Sequence, residues 1–202
     1  MKLHYALSSP YVHKVMLVAH ECGLLDRIEL VTTTAQTVID DVSVDNPLGQ
    51  IPTLITDDGA VMYDSLVIME YLNHFSASNL IPPPGPARWP VMRIHALGQG
   101  VIDALNLRFN ELRRPASEQS PTWISKKEIE VLRVFDVLEA EAMAVRLPDD
   151  ADFGTLTIGC CLAYADRRWP EGEWRSGRAA LAAWFERFAS RPSMQDTTPP
   201  ST

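Results

Sequence analysis

Ile81-Pro82-Pro83-Pro84-Gly85-Pro86 divides this chain into two parts that must fold by different rules. Four prolines within five residues remove backbone donors and lock φ, so neither a helix nor a central strand runs through the segment. Everything before it and everything after it must therefore find its own secondary structure. The two stretches carry different periodicities.

Before the prolines, Leu3, Tyr5 and Leu7 alternate across residues 2–7, the pattern of a half-buried strand. Ser8-Ser9-Pro10 ends it, and Pro10 suits the first turn of a helix because its missing N–H costs nothing there. Val12, Val15, Met16, Ala19 and Cys22 then recur at helical spacing, with Gly23 as the stop. Ile28-Glu29-Leu30-Val31-Thr32 reads as a second strand. Residues 33–50 are polar and irregular and end in Asn46-Pro47-Leu48-Gly49. Thr53–Thr56 and Ala60–Tyr63 flank Asp57-Asp58-Gly59, a hairpin signal. Asp64-Ser65 caps a helix carrying Leu66, Met69 and Leu72. A crossover makes the first two strands parallel and the hairpin adds antiparallel ones, so the expectation is a mixed sheet with helices on its faces.

After the prolines no strand pair is evident. Helical periodicity covers residues 87–112, 122–146, 157–168 and 177–190, and Leu181, Trp184, Phe185 and Phe188 mark an apolar face of the kind a helix bundle buries. Residues 192–202, with Pro199-Pro200, read as a loose tail. The organisation expected is a mixed α/β domain over 1–77, a Pro-rich linker over 78–87 and an all-α domain over 88–202.

Bulk properties narrow the function. The net charge of −8 and pI of about 5.1 repel phosphate backbones and argue against nucleic-acid binding. No apolar run of about 18 residues is present to span a membrane, and the start lacks the continuous apolar stretch of a secretory signal. Cys22, Cys160 and Cys161 give neither a disulfide framework nor C-x-x-C spacing, which points to a reduced, cytoplasmic setting. The scattered histidines form no H-x-x-x-H pair, so no metal site is expected. Trp123, Trp169, Trp174 and Trp184 read as core or interface anchors, and Arg113-Arg114 and Arg167-Arg168 as solvated or salt-bridged faces.

Ser9-Pro10-Tyr11-Val12 before the first helix, Asn46-Pro47-Leu48-Gly49-Gln50-Ile51-Pro52-Thr53-Leu54, and Asp64-Ser65-Leu66 opening the next helix occur in one order in the first half. Gly100–Ala104, Glu111–Pro115 and Leu156–Gly159 follow in the second. Together they resemble the cytosolic glutathione transferase family, in its bacterial, serine-type branch, over nearly the whole chain. The resemblance implies a thioredoxin-like α/β N-terminal domain and an all-α C-terminal helix-bundle domain. It implies a glutathione transferase that needs no metal or bound cofactor, with glutathione as co-substrate, and a homodimer.

By the same resemblance Ser9 is the thiol-activating residue, although Ser8 and Ser9 by themselves read equally as helix caps. A hydroxyl hydrogen bond and the positive end of a helix both favour the thiolate, the nucleophilic form. Pro52 matches a cis-proline that turns the Ile51 backbone toward an extended peptide; as a bare pattern it reads as a trans proline opening a strand. Asp64 and Ser65 match the residues that hold the γ-glutamyl group, and Gln50 is placed near the glycyl end. Tyr11, Asn106, Phe109 and Arg113 would line the site of a small hydrophobic electrophile, between the domains. Asp103 would reach a partner subunit's glutathione.

Two departures from the family carry expectations of their own. His13 stands where relatives often carry Arg, so its charge should vanish above about pH 6.5. Cys160 replaces the acid of a capping box begun by Thr157, which leaves Thr157 to cap its helix alone. Two rival functions remain open at this level: a glutathione-dependent disulfide reductase and a non-catalytic interaction module on the same fold.

Overall fold

A computed structural model describes residues 1–34 and 37–199. The first half runs β1 (Lys2–Tyr5), α1 (Pro10–Glu21), β2 (Glu29–Thr32), β3 (Thr53–Ile55), β4 (Val61–Met62) and α2 (Ser65–Phe75). A short helical turn at Val38–Val42 interrupts the polar stretch before β3. The sheet order is β2-β1-β3-β4, with β1 parallel to β2 and the other pairs antiparallel. Leu3 lies opposite Leu54, and both are buried in one core with Val15 and Val18 of α1 and Ile68, Met69 and Leu72 of α2.

β1 is shorter than the alternation predicts. Leu7 is 47% exposed and lies in a turn, not on the core face. A residue before proline is pushed to extended backbone, and Ser9 adopts φ −79° and ψ 122° there. Its N–H donates to the Ala6 carbonyl at 3.0 Å, which closes the turn. At the other end of α1, Gly23 takes φ +66°. The Gly23 N–H reaches His20 O and the Leu24 N–H reaches Ala19 O, the paired bonds of a Schellman stop.

The second half is helical: α3 (Arg88–Leu112), α4 (Pro121–Met143), α5 (Phe153–Arg168), α6 (Ala179–Ala189) and α7 (Pro192–Thr197). Gly98 lets α3 and α5 close on one another, since a Cβ there would come within 2.9 Å of Thr157 Cγ2. The stretch between α2 and α3 is anchored to both halves. Leu80 N–H donates to Asn73 Oδ1 of α2, and the Leu80 carbonyl accepts from Phe153 N–H of α5.

Four expectations need correction. α5 begins four residues before Thr157 because Asp152 and Thr155 make the reciprocal box: Thr155 N–H donates to Asp152 Oδ1 at 2.8 Å and Asp152 N–H to Thr155 Oγ1 at 2.9 Å. Thr157 lies inside the helix, donates to Phe153 O at 2.7 Å and meets His95 Nδ1 at 2.8 Å, so Cys160 leaves no cap unmade. Residues 192–197 are no loose tail, because α7 packs on α1. Met194 is buried there, and Glu21 receives Arg191 and Ser193; Pro200 lies outside the described residues. Trp169, Trp174 and Trp184 are core residues, but Trp123 is 38% exposed beside Lys127.

The fourth correction concerns His13. It is 4% exposed, and burial, with the Arg167 charge second, lowers its pKa to about 3. It is therefore neutral throughout the physiological range and does not switch near pH 6.5. Burial likewise lowers His95 to about 4. An unfolded chain takes up protons at both positions as pH falls through about 6.5, while the folded chain does not. The stability these groups lend is complete above that value and is lost as pH falls toward their folded values. Urea unfolding of His13→Gln should accordingly lose less stability between pH 7 and pH 5 than wild type; parallel losses would contradict the burial argument.

Candidate functional site

A cleft of about 700 Å³ opens between the two halves. All ten residues singled out in the sequence line it. Ser9 and Tyr11 come from the first turn of α1, Gln50, Ile51 and Pro52 from the approach to β3, and Asp64 and Ser65 from the start of α2. Asn106 and Phe109 of α3, with Arg113 at its C-terminal cap, form the opposite wall at helical spacing.

Ser9 is the N-cap of α1: its Oγ accepts the Val12 N–H at 3.3 Å, with Pro10 in the first helical position. The capping and cleft-lining readings thus hold for the same residue. As acceptor to its own helix, the hydroxyl keeps its proton for an anion in the cleft. Ser8 also lines the cleft but is exposed, and its carbonyl is held by Arg167 of α5 at 3.1 Å.

The Ile51–Pro52 peptide bond is cis. The loop before it is pinned by Asn46, which is 1% exposed. Asn46 Nδ2 donates to Gln50 O at 3.1 Å and to Thr53 Oγ1 at 2.9 Å, and its Oδ1 accepts the Leu48 N–H at 3.0 Å. Among the described residues, the Ile51 main chain has no hydrogen-bond partner, so it presents a free edge to the cleft. Asp64 caps α2 by accepting the Leu66 N–H at 3.1 Å, and Ser65 is buried beside it.

From a buried lysine to the cleft wall runs a hydrogen-bonded relay that sequence reading did not anticipate. Lys14 is fully buried, and its ammonium donates to Gln99 Oε1 of α3. Gln99 Nε2 donates to Asp103 Oδ1 at 2.8 Å, and the Tyr11 hydroxyl donates to the same oxygen at 2.7 Å. Burial, reinforced by the Asp103 contact, raises the Tyr11 pKa, so Tyr11 stays a neutral donor. Asp103 Oδ1 is therefore engaged by two residues of its own chain. Gln99, Tyr164 and Arg168 complete the walls. Asn46 carried a readable signal, since Asn-Pro-Leu-Gly is turn chemistry. Lys14 and Gln99 carried none, because only packing brings them together.

Cys160 donates its thiol to Pro10 O at 3.3 Å. Burial pushes its pKa up to about 12, and that of Cys161 well above the ordinary thiol value. Neither thiol is a nucleophile at neutral pH, which leaves the pair in a packing role.

The sheet with its two helices, the helical half and the cleft between them define a thioredoxin-like domain joined to an all-helical one. Residues 8–74 match the family model of the glutathione S-transferase N-terminal domain. The chain is 30% identical to the uncharacterized GST-like protein YibF of Escherichia coli K12 over 99% of both chains. It is 40% identical to a glutathione transferase family member from Pseudomonas fluorescens Pf-5. The structure of that protein with bound glutathione superposes with a TM-score of 0.93 over 98% of each chain. A structure from the same source with bound S-(propanoic acid)-glutathione gives 0.90 over 99% of this chain and 100% of that one. The chain belongs to the glutathione S-transferase family.

Burial lowers the Lys14 pKa to about 8, against the pull of Cys160, Asp64 and Asp103. Below that value the buried ammonium is a penalty, and the penalty is relieved as pH rises from about 8 toward the ordinary lysine value near 10.5. Urea unfolding of wild type and Lys14→Met should show the difference moving in favour of wild type across this window, by up to roughly 1.4 kcal/mol per pH unit. A difference independent of pH would show that Lys14 titrates as a solvated lysine.

Proposed function

We propose that the protein is a glutathione transferase in which Ser9 holds the glutathione sulfur as a thiolate for attack on a small electrophile. The observation that carries this reading is the alignment, in one cleft, of three complementary features: the Ser9 hydroxyl at the α1 N-terminus, the free Ile51 edge, and the Asp64-Ser65 start of α2.

The tripeptide would lie extended along Ile51 and pair with its main chain as an added strand. Its γ-glutamyl carboxylate would meet the α2 N-terminus and the Ser65 hydroxyl, its ammonium would face Asp64, and its glycyl end would lie toward Gln50. The sulfur would then sit beside Ser9. Lowering a thiol pKa by about two units requires roughly 2.7 kcal/mol. One charge-assisted hydrogen bond together with the helix terminus supplies a stabilisation of that order. In the attack a C–S bond forms, the leaving group departs with its electron pair, and the thiol proton goes to solvent. The P. fluorescens relative, which holds both glutathione and an S-substituted glutathione, supports a cleft that accepts a group on the sulfur. The homodimer is proposed along α2 and α3, where Val67 and Trp89 leave apolar surface exposed at 46% and 67%.

Isothermal calorimetry with millimolar reduced glutathione should give measurable heat at neutral pH; no heat would remove this reading. Ser9→Ala should bind the tripeptide with near-normal affinity and lower kcat for aryl-halide conjugation ten- to a thousandfold. Full activity in Ser9→Ala with loss in Ser8→Ala would move the role by one residue. Turnover of mixed disulfides alone would make the protein a reductase, and binding without turnover would make it a module.

A further inference from the structure

The helical wall of the cleft has a charge pattern that a purely apolar second substrate does not call for. Most arginines of this acidic chain sit against carboxylates, Arg27, Arg88, Arg108, Arg175 and Arg178 among them. Arg113 and Arg168 do not: among the described residues neither has a carboxylate partner, and both line the cleft. Each guanidinium lies over the ring of Phe109, Arg168 at 4.1 Å and Arg113 at 5.6 Å from its centroid. The Arg168 Nε is buried and has no hydrogen-bond partner among the described residues. A buried, unsatisfied donor on a cation is costly unless a ligand completes it.

The two carboxylates of the cleft do not neutralise this wall. Asp103 is taken up by Tyr11 and Gln99, and Asp64 caps α2. An arginine stacked on an aromatic face keeps its planar fork oriented and available for a carboxylate. Phe109 holds both guanidinium groups at this wall, and Asn106 and Asn110 add amide groups beside them. On a protein of net charge −8, a local positive wall raises the local concentration of anions at the cleft.

We infer that the second substrate is a small electrophile bearing a carboxylate, which Arg113 and Arg168 hold at the helical wall while its reactive carbon faces the glutathione sulfur. The inference rests on the transferase reading and replaces the hydrophobic electrophile expected from the sequence with an acidic one. For a haloaromatic acid, the thiolate forms the C–S bond, the carbon–halogen bond breaks with its electron pair leaving on halide, and the thiol proton passes to water.

The test compares 4-chloro-3,5-dinitrobenzoate with the corresponding benzamide, which differ in charge at one end, each kcat/KM being divided by its uncatalysed rate constant. Wild type should favour the acid by tenfold or more, with the difference chiefly in KM and falling as salt is raised. Arg168→Met should bring the ratio close to one, and Arg168→Lys should give an intermediate ratio. Arg113→Glu, at an exposed position that tolerates change, should reverse the preference and serves if Arg168 variants do not fold. Conjugation of both probes at a ratio near one, unmoved by these variants, would overturn the inference and leave the transferase reading standing. Loss of glutathione binding in the arginine variants, measured by calorimetry, would assign the arginines to the tripeptide instead and would also overturn it. Failure of wild type to turn over either probe would remove the transferase reading and this inference together.

Discussion

The seating of the first turn of α1 against α5 is the contact on which the cleft depends. Cys160 reaches the Pro10 carbonyl, Arg167 holds the Ser8 carbonyl, and Lys14 is buried one turn further on. These contacts come from a helix some 150 residues away in the chain. They fix the direction in which the α1 N-terminus, and hence Ser9, faces. A displaced first turn would leave the Ile51 edge and the α2 N-terminus intact but without a hydroxyl aimed between them.

The packing of α1 against α3 carries an electrostatic load. A fully buried ammonium is costly unless hydrogen-bonded and near opposite charge. Gln99 solves this with a single amide, its carbonyl toward Lys14 and its NH₂ toward Asp103. Lysine and carboxylate are thereby coupled without direct contact, and Tyr11 is locked as a neutral donor in the wall of the cleft. The network links α1 to α3, so the sheet-side and helical walls of the cleft share one set of hydrogen bonds.

The two walls differ in how they are built, and the difference governs how well each could be read. The sheet-side wall is made of main chain and caps: Ser9 on α1, Ile51 before a cis-proline, Asp64-Ser65 on α2. Such features come from local signals of turn and cap chemistry, which short motifs encode. The helical wall is made of side chains from the end of α3 and the end of α5 that meet only after packing. Arg168 looked like a solvated or salt-bridged charge in sequence and Arg113 was placed at the cleft only by the family resemblance, yet both lie against Phe109 at the cleft, whereas Arg114 does pair with Glu111 and Glu118.

The element order, the mixed sheet and the helical second half were legible because proline, glycine and hydrophobic period act over a few residues. Misreadings fell where a long-range partner overrode a local cue. Thr157 looked like a cap until Asp152 and Thr155 formed the box upstream, and the Pro-rich end looked loose until Glu21 captured Arg191 and Ser193. His13 looked like a surface switch until burial suppressed its charge. By itself, then, the sequence determined the element order and the capped starts of α1 and α2, because caps and turns are matters of local backbone geometry. The tertiary structure alone decided the Lys14–Gln99–Asp103–Tyr11 relay and the paired arginines on Phe109, because burial and charge pairing exist only once distant segments share the same space.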